Sequence, residues 1–477
     1  MDDTPFIKLF KSPWNKYFYD VGRNEIVLIS DQLYSNLRLM ELGVIHWKEL
    51  LNSTNEELKS LIEEGYLSCK RPLIIKHPLS EVSVHFLQRK IDMITLQITQ
   101  DCNFRCKYCI YSEKINLKQR SHSRNTMTWE TAKKAIDFYV VHSIDNEIRS
   151  IGFYGGEPLL QFDLIKRIVE YAEEKTLGKP LDFHMTTNGS LLTDKVVAFL
   201  AEHKVQLLVS LDGNKISHDK NRVFATGEGT FELILKNLSL IREVFPDYYP
   251  HIQINTVLDP TNDFDSSTEL NHNRIGLPRD NYRYNYVERE DEDVTPDFSA
   301  PGFREKDEYH SFLANLALCG KFPKERLSPL SLQRLRDAES SYNRFYSEHS
   351  LPDVCSHGGP CIAGKSRLFV TTNGVFYPCE RVNEKRHMSI GTLDSGFDYE
   401  NIKRLMNVCE LTAEECRNCW AIRNCSICSK LCDNGKMLSA KTKLQHCDES
   451  RHLVENQIRS IILQSELYYY FPKEVST

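Results

Sequence analysis

The sequence predicts an α/β fold in which a parallel β/α barrel lies between a small N-terminal domain and a cysteine-rich C-terminal domain. Three observations lead to this prediction. Several apolar runs turn polar at their C-terminal ends, among them TLQIT, IRSIGFY, LDFHMTT, VQLLVS and HIQINTV. Eleven of the fifteen cysteines lie beyond residue 300. The first 85 residues contain strand-like runs followed by two stretches with helical apolar spacing.

Length, charge and cysteine content exclude several classes of protein. A chain of 477 residues is too long for one simple core and indicates two or three domains. The net charge of −6 gives no basic footprint, so we expect no nucleic acid partner. The N-terminus lacks a secretory signal pattern, and no run approaches the roughly 18 apolar residues that span a bilayer. We therefore expect a cytoplasmic protein without a membrane partner, whose cysteines ligate metal rather than form disulfides.

Cys102, Cys106 and Cys109 form a CxxxCxxC triad in the run TLQITQDCNFRCKYCIYS, directly after a predicted strand. Iron–sulfur cubanes normally take four thiolates, so three cysteines leave one iron open to another ligand. Cysteines at this spacing also form zinc sites or pack as small apolar side chains. The triad alone therefore indicates a metal site without fixing the metal.

A second motif, GFYGGEPLLQF, follows the triad by about 46 residues. Gly155 and Gly156 permit close approach of the backbone to a ligand, and Glu157, ahead of Pro158, offers an acceptor to an ammonium group. A GGEP sequence by itself fits a simple turn after a strand as well as it fits a ligand-binding loop.

Polar residues also follow two later strand-like runs. LDFHMTTNG ends in Thr186, Thr187 and Asn188, and VQLLVSLDG contains Ser210 and Asp212. The C-terminal ends of strands carry the active site in a β/α barrel. Taken singly, such residues fit helix N-caps and turns as well as they fit cofactor binding, and Arg222 in HDKNRVF fits a solvated arginine as well as a cofactor ligand. The strand HIQINTVLDP places Asn255 and Thr256 near the same rim as weaker candidates.

The triad and the GGEP loop, in this order and at this distance, resemble the signatures of the radical SAM enzymes. The resemblance implies a partial (β/α)6 TIM-like barrel, a [4Fe–4S] cluster on the triad and S-adenosylmethionine (SAM) at the open iron. In that family the GGE motif holds the amino group of SAM, later strands contact its ribose and methionine parts, and an arginine binds its carboxylate. The positions that this resemblance assigns to SAM are Tyr108, Gly155, Gly156, Glu157, Pro158, Thr186, Asn188, Ser210, Asp212 and Arg222.

The C-terminal cysteines form the second strong pattern. Cys361 is followed by Gly374 and Cys379, then by the run CRNCWAIRNCSICSKLC, and finally by Cys447. The segment RLFVTTNGVFYPC predicts a hairpin with Asn373 and Gly374 in the turn. This arrangement resembles the SPASM domain, an extension of radical SAM enzymes that holds auxiliary [4Fe–4S] clusters. Two zinc-ribbon knuckles are the alternative.

The resemblance implies two auxiliary clusters and therefore three [4Fe–4S] clusters in all. It assigns Cys416, Cys419, Cys425 and Cys447 to a distal cluster. A proximal cluster takes Cys361, Cys379 and one of Cys428 or Cys432, and Cys355 is a further candidate ligand. Whether the proximal cluster keeps an open iron that binds a substrate thiolate remains undecided by the sequence. Cys69, Cys319 and Cys409 fall outside these patterns and are predicted to be buried fillers.

The N-terminal segment predicts two strands around a Gly-Arg-Asn turn. Two helices follow, one from Asp31 to a stop at Gly43 and one from Ser53 or Thr54 to a stop at Gly65, and the segment ends in a GYLS strand. It resembles the small winged-helix domain that recognises leader peptides by strand addition. HPLSEVSVHFLQRKID is predicted to be a linker and VEREDEDVTPDFSAPGF a solvated loop. The domain boundaries are 1–85 for leader recognition, 92–290 for the radical SAM core, 291–350 for bridging helices, 351–450 for the SPASM domain and 451–477 for a terminal helix.

This domain order resembles the ranthipeptide and sactipeptide maturases, and the run CWAIRNCSICSKLCD most resembles the Cys-rich-peptide branch, which includes the freyrasin maturase. The resemblance implies thioether formation between a cysteine sulfur and an unactivated side-chain carbon, that of an acidic residue in this branch. The implied partners are a precursor peptide, whose leader the N-terminal domain binds, and a reductant such as flavodoxin or ferredoxin. Alternatives are a sactionine, a carbon–carbon crosslink, epimerisation or sulfatase-type oxidation. An iron–sulfur electron carrier or a zinc-binding module is the non-enzymatic alternative, and no general base is assigned.

Overall fold

The computed structural model describes residues 4–109, 111, 122–176, 178–269, 272–287, 299–345, 350–359 and 361–471. Most of the predicted acidic loop, residues 288–298, lies outside this described part. Within it, no helix is both long enough and apolar enough to cross a bilayer.

The N-terminal unit is a three-stranded antiparallel sheet with three short helices. The strands are β1 (Ile7–Lys11), β2 (Lys16–Asp20) and β3 (Glu25–Ile29), in that order, and the helices are α1 (Asp31–Glu41), α2 (Trp47–Leu51) and α3 (Glu56–Glu63). The predicted hairpin is confirmed as β2 and β3, with Asn24 at a φ of 58° in its turn. Helix α1 begins at Asp31 as predicted, because the Ser30 side chain accepts from the Leu33 amide.

Two N-terminal predictions were wrong. Helix α3 begins after Asn55 rather than at Ser53 or Thr54, because the Asn55 side chain caps the Leu58 amide. The GYLS segment is not a strand. Leu67 has a φ of 59° and its amide donates to Asp20 Oδ2 at 2.8 Å, so the chain turns where a strand was expected.

The centre of the molecule is a partial parallel barrel. Its six adjacent strands are β5 (Met93–Thr99), β6 (Arg149–Gly155), β7 (Leu181–Thr187), β8 (Gln206–Ser210), β9 (Gln253–Leu258) and β10 (Tyr282–Tyr286). The principal helices between them are α5 (Trp129–His142), α6 (Phe162–Lys175), α7 (Asp194–Glu202), α8 (Lys215–Asn221), α9 (Phe231–Val244), α10 (Phe264–Thr268) and α11 (His272–Ile275). This order of alternating elements confirms the predicted α/β fold and brings the polar strand ends to one rim.

A short strand β4 (Ile74–Ile75) and a helix α4 (Ser83–Arg89) precede the barrel. The segment predicted to be a linker therefore contains a helix, and that prediction was wrong. Leu87 of α4 is fully buried in the main hydrophobic core, which explains why this segment is helical and packed rather than extended.

The barrel sheet continues into the C-terminal region. Strand β12 (Leu368–Val370) pairs in parallel with β5, and β13 (Val375–Tyr377), β14 (Gly391–Thr392) and β15 (Gly396–Phe397) extend the sheet in antiparallel fashion to ten strands. Strands β12 and β13 confirm the predicted hairpin, with Gly374 at a φ of 75°. The hairpin that leads to Cys379 is therefore hydrogen-bonded directly to the strand that leads to Cys102.

Helices complete the C-terminal half. They are α12 (Phe303–Leu318), α13 (Pro329–Phe345), α14 (Tyr399–Met406), α15 (Ala413–Arg417), α16 (Ser429–Cys432), α17 (Ala440–Gln445) and α18 (Cys447–Tyr470), and a short strand β11 (Val354–Cys355) pairs with β4. Helices α12 and α13 lie in the region predicted to contain bridging helices, and α18 begins at Cys447, four residues before the predicted C-terminal segment; the domain boundaries stay predictions. Residues Phe10 and Tyr19 of the N-terminal sheet share a hydrophobic cluster with Ile458 and Ile461 of α18, so the two ends of the chain pack together.

Candidate cluster and cofactor site

The triad loop leaves the C-terminal end of β5 and is held by the loop after β6. The amide of Gly156 donates to the Thr99 carbonyl at 2.8 Å, and the amide of Glu157 donates to the Asp101 carbonyl at 2.9 Å. Gly155 has a φ of 137°, and a Cβ there would lie 2.1 Å from the Thr99 carbonyl oxygen. Gly155 and Gly156 therefore pack against the backbone just before Cys102.

The three thiols of the triad lie in a setting that suits iron ligation. The Phe104 amide donates to Cys102 Sγ and the Tyr111 amide to Cys109 Sγ, each at 3.4 Å. Burial raises the pKa of Cys106 to about 12, and the charge of Arg222 opposes that rise. Burial likewise raises the pKa of Cys102 far above its ordinary value. Thiolates here require a nearby positive charge, so this donor set fits three ligands of a [4Fe–4S] cluster.

Tyr108, Asp212 and Arg222 form one buried group beside the triad. The Tyr108 hydroxyl donates to Asp212 Oδ2, and Arg222 Nε donates to the same oxygen at 3.0 Å. The Arg222 guanidinium lies 5.3 Å from the Tyr108 ring centroid, and its Nη1 lies 3.9 Å from Cys106 Sγ. Asp212 and Arg222 are 2% and 7% exposed, so they are a buried ion pair that adjoins the triad.

His218 supports this group and was not singled out by the sequence. Its Nδ1 accepts from the Asp212 amide at 3.1 Å, and its Nε2 lies 2.9 Å from the Thr230 hydroxyl, which donates to the Arg222 carbonyl. Burial lowers the pKa of His218 to about 4, so the ring is neutral. His218 therefore fixes the backbone on both sides of the ion pair.

Glu157 is buried at the end of β6 with several protein donors. It accepts from the Asn188 amide at 2.7 Å, the Thr187 hydroxyl at 2.8 Å and the Leu159 amide at 3.1 Å. A carboxylate has about four acceptor positions, so these bonds use three of them. Burial raises the pKa of Glu157 to about 7, against the effect of its donors.

The remaining predicted cofactor residues lie at the same rim. Asn188 Nδ2 donates to Asn103 Oδ1 at 2.9 Å and lies 4.0 Å from Cys102 Sγ, which ties the end of β7 to the triad loop. Ser210 ends β8 and is 6% exposed, and Thr186 is the penultimate residue of β7. Of the two weaker candidates, Thr256 is buried and donates to the Leu211 carbonyl, and Asn255 accepts from Asn285.

Four C-terminal cysteines form one set, defined here as the distal set: Cys416, Cys419, Cys425 and Cys447. Burial raises the pKa of Cys425, and the charges of Cys419 and Cys416 raise it further. Burial also raises the pKa of Cys447, with further contributions from Cys425 and Cys416. The Ser450 hydroxyl donates to Cys425 Sγ at 3.2 Å. Charge interactions thus link these four cysteines, but Cys432 interacts with Cys425 and Cys416 in the same way, so the ligand set of the distal cluster stays a prediction.

A second group, the proximal set, contains Cys361, Cys379 and Cys428. Burial raises the pKa of Cys379 to about 11, and the charges of Cys428 and Cys361 add to that rise. Arg367 and Glu380 form an ion pair near these thiols, so their opposite charges largely cancel.

Cys432 and Cys355 are the two remaining candidate ligands. Cys432 is fully buried in the main core, and among the thiols whose charges raise its pKa are Cys428 and Cys425. Cys355 lies on β11, opposite Ile75 of β4. It belongs to the hydrophobic cluster that joins the N-terminal sheet to α18, and its thiol donates to the Ser356 carbonyl.

The three cysteines predicted to be fillers are all at least half-buried. Cys319 and Cys409 are 1% and 0% exposed, and Cys69 packs against the core of the N-terminal unit. Among the described residues, no group of three or more His, Cys, Asp and Glu side chains is arranged to hold a single metal ion.

Two buried residues near the auxiliary cysteines were missed by the sequence. Lys443 is 1% exposed and its Nζ donates to Thr412 Oγ1 at 2.7 Å and to Cys416 Sγ at 3.2 Å. His357 is 3% exposed, and neither ring nitrogen has a hydrogen-bond partner among the described residues. Burial lowers the pKa of His357 to about 3, with help from the charge of Lys443. Nothing in the local sequence predicts that either residue is buried.

Comparison with known proteins identifies the barrel. Residues 96–267 match the family model described as the radical SAM superfamily. The radical SAM cyclopropyl synthase TigE of Paramaledivibacter caminithermalis is 27% identical over 46% of this chain and 48% of its own. The serine-type anaerobic sulfatase-maturating enzyme of Bacteroides thetaiotaomicron is 30% identical over 30% of this chain and 34% of its own. The chain spans about half the length, or less, of the curated relatives it matches.

A solved structure supports the same fold over a larger part of the chain. Native anSMEcpe with bound AdoMet aligns with a TM-score of 0.56 at 18% identity, and the alignment covers 78% of this chain and 99% of that one. At this identity the likeness concerns the fold.

Proposed function

We propose that this chain, whose residues 96–267 form a radical SAM domain, is a radical SAM peptide maturase that installs thioether crosslinks in a ribosomally made precursor. The crosslink joins a cysteine sulfur to an unactivated side-chain carbon, that of an aspartate or glutamate. The observation that carries the proposal is the parallel pairing of β12 with β5. It attaches the auxiliary cysteine region to the strand that ends at the triad.

The rim residues provide the SAM site. Cys102, Cys106 and Cys109 hold the cluster, and the open acceptor position of Glu157, together with the Gly155–Pro158 loop, receives the SAM ammonium. Tyr108, Thr186, Asn188 and Ser210 line the nucleoside and methionine parts, as the resemblance implies. The pair of Asp212 with Arg222 fixes Tyr108 and presents a guanidinium toward the triad. When bound, the cluster and SAM supply a 5′-deoxyadenosyl radical.

The auxiliary cysteines complete the chemistry. Forming a C–S bond from a thiol and a C–H group removes one hydrogen atom, one proton and one electron, so the reaction needs an electron acceptor. A distal cluster on Cys416, Cys419, Cys425 and Cys447 is closed by four thiolates, whereas the proximal set offers three. We assign the proximal cluster an open iron for the substrate thiolate, because Cys355 lies on β11, which pairs with β4 rather than with the hairpin that leads to Cys379, and its thiol donates to the Ser356 carbonyl.

The N-terminal unit is proposed to bind the leader of the precursor. Strand β3 lies at the edge of its sheet, and Leu28 on that strand is 60% exposed. An edge strand offers unpaired backbone groups to which an extended peptide can add as a further strand. Flavodoxin or ferredoxin is proposed as the reductant of the triad cluster.

The proposal is tested with anaerobically reconstituted full-length protein, SAM, a reductant and a cysteine-rich precursor peptide with acidic residues. We expect three clusters per chain, release of 5′-deoxyadenosine, and loss of two hydrogens from the peptide for each crosslink. Tandem mass spectrometry should locate each crosslink between a cysteine and an acidic residue. The matched control replaces Cys102, Cys106 and Cys109 by alanine, which should abolish deoxyadenosine formation and leave the auxiliary iron bound.

Other outcomes separate the alternatives. A peptide that loses two hydrogens at a single serine or cysteine indicates sulfatase-type oxidation, and a crosslink to an α-carbon indicates a sactionine. Stoichiometric zinc without deoxyadenosine would refute the radical SAM proposal altogether.

A further inference from the structure

Lys443 is a buried cation in contact with the distal set. It lies in the six-residue helix α17, is 1% exposed, and donates from Nζ to Cys416 Sγ at 3.2 Å and to Thr412 Oγ1 at 2.7 Å. The Thr412 hydroxyl is itself 3.4 Å from Cys416 Sγ. Lys443 has no ion-pair partner among the aspartates and glutamates that the structure describes. Lysines are almost never fully buried without a partner.

Lys443 contacts two thiols of the distal set. Besides the bond from its ammonium to Cys416, its carbonyl accepts from the Cys447 thiol at 3.7 Å. An unpaired buried ammonium is costly unless a negative group balances it. Four thiolates around an iron–sulfur core carry net negative charge, so a bound cluster supplies the balancing charge.

Among the described residues, the buried lysines and arginines are Lys443, Arg149 and Arg222, and Arg222 lies beside the triad rather than the proximal set. Arg367, whose charge acts on Cys361, pairs with Glu380, and the charge of Glu380 raises the pKa of Cys379. On the distal side, Arg451 contacts Cys419 but also pairs with Asp448 at the surface. Lys443 is therefore the uncompensated buried charge that distinguishes the surroundings of the two sets.

We propose that the Lys443 ammonium is the charge partner of the distal cluster and that its hydrogen bond to Cys416 raises the reduction potential of that cluster above the potential of the proximal cluster. Reduction potentials of iron–sulfur clusters respond to net charge and to hydrogen bonds on the ligand sulfurs. A nearby cation stabilises the reduced state, which carries one more negative charge. Lys443 is a positioning residue that directs the surplus electron of the proposed reaction toward the distal cluster. This inference rests on the proposed presence of auxiliary clusters.

The test is a redox titration of the auxiliary clusters, followed by electron paramagnetic resonance. The parent protein carries alanine at Cys102, Cys106 and Cys109, so the triad cluster does not contribute a signal. Lys443→Met should decrease the ratio of reduced to oxidised distal cluster at least tenfold at a fixed potential, which corresponds to about 59 mV for one electron. Lys443→Arg should retain most of the parent potential. The matched control is Lys441→Met on the same helix, because Lys441 is exposed and should leave the potential unchanged.

Iron content and the potentials decide the outcome together. Unchanged distal potential in Lys443→Met with full iron content would overturn the inference. If Lys443→Met and Lys443→Gln lose the distal iron while Lys443→Arg keeps it, the role as charge partner is supported. Loss of that iron in Lys443→Arg as well overturns it. Parent protein that binds no auxiliary iron refutes the proposed function itself, and this result is distinguishable because iron is counted before any variant is titrated.

Discussion

Gly156 lies against the Asp101 carbonyl so closely that a Cβ on Gly156 would be 2.0 Å from the Asp101 oxygen. The neighbouring amide of Glu157 donates to that same oxygen at 2.9 Å. The loop after β6 therefore determines the path of the chain that enters the triad. This contact gives the Gly-Gly pair a structural role in addition to the ligand-binding role expected from the sequence.

Gly156→Ala should displace the triad loop. The added methyl meets backbone rather than a flexible side chain, so we expect destabilisation of about 1–3 kcal/mol and loss of the triad cluster. Iron analysis should show one cluster fewer, and deoxyadenosine formation should fall to background. Gly43→Ala is the control for an added methyl that meets no atom within 4 Å; its φ of 73° adds about 1 kcal/mol of backbone strain, but it should keep the triad cluster and deoxyadenosine formation. Full deoxyadenosine formation by Gly156→Ala would show that the loop tolerates the contact.

In protein that holds neither the cluster nor SAM, Arg222→Met should lower the free energy of unfolding. The replacement leaves the Asp212 carboxylate 2% exposed and without its cation. Removing one partner of a buried ion pair costs about 3–5 kcal/mol, and replacing both with Asp212→Asn and Arg222→Met should cost less. Arg89→Met removes an exposed ion pair with Asp145, which solvent screens, and should change the stability far less. Urea unfolding of the four proteins measures these differences, and equal effects of Arg222→Met and Arg89→Met would contradict the expectation.

In protein that lacks the cluster, ionisation of Glu157 should lower the free energy of unfolding as the pH rises. Its pKa is about 7 in the folded state because of burial, against 4.5 as the ordinary value. Between these values the folded state binds more protons than the unfolded state, so the free energy of unfolding falls as pH increases from about 4.5 to 7. The loss amounts to about 3 kcal/mol at most. Glu157→Gln should remove this component, which unfolding of both proteins at pH 5, 6, 7 and 8 would reveal. Parallel pH profiles for the two proteins would contradict it.

The barrel and the hairpin were predictable because their signals are local. Strands β5, β7 and β8 are apolar runs that end in Thr or Ser, and the Asn373–Gly374 turn is a strong hairpin signal. The division of the cysteines into two sets comes from the resemblance to the SPASM domain and stays a prediction. Strand β1, by contrast, alternates weakly and depends on pairing with β2, and α4 depends on the burial of Leu87 against the barrel. Such elements are determined by tertiary contacts that short windows of sequence do not contain.

The same limit applies to single residues in the site. Lys441 and Lys443 are two positions apart in AKTKLQ, yet one is exposed and the other is buried against Thr412. His218 becomes a support of Asp212 only because α8 folds back on the end of β8. Residue type and spacing select candidate ligands and candidate cofactor contacts, but the partners of those side chains come from distant parts of the chain.

Cys428, rather than Cys432, should be required for the proximal cluster. The charge of Cys428 raises the pKa of both Cys361 and Cys379, which places its thiol near the other two members of the set. Cys432 is fully buried in the main core and close to Lys443. In protein with alanine in place of the triad cysteines, Cys428→Ala should lose iron and sulfide equivalent to one cluster, and Cys432→Ala should keep both clusters at a small cost in stability. The opposite pattern of iron loss would assign the ligand to Cys432 and would show that the core around it opens when iron binds.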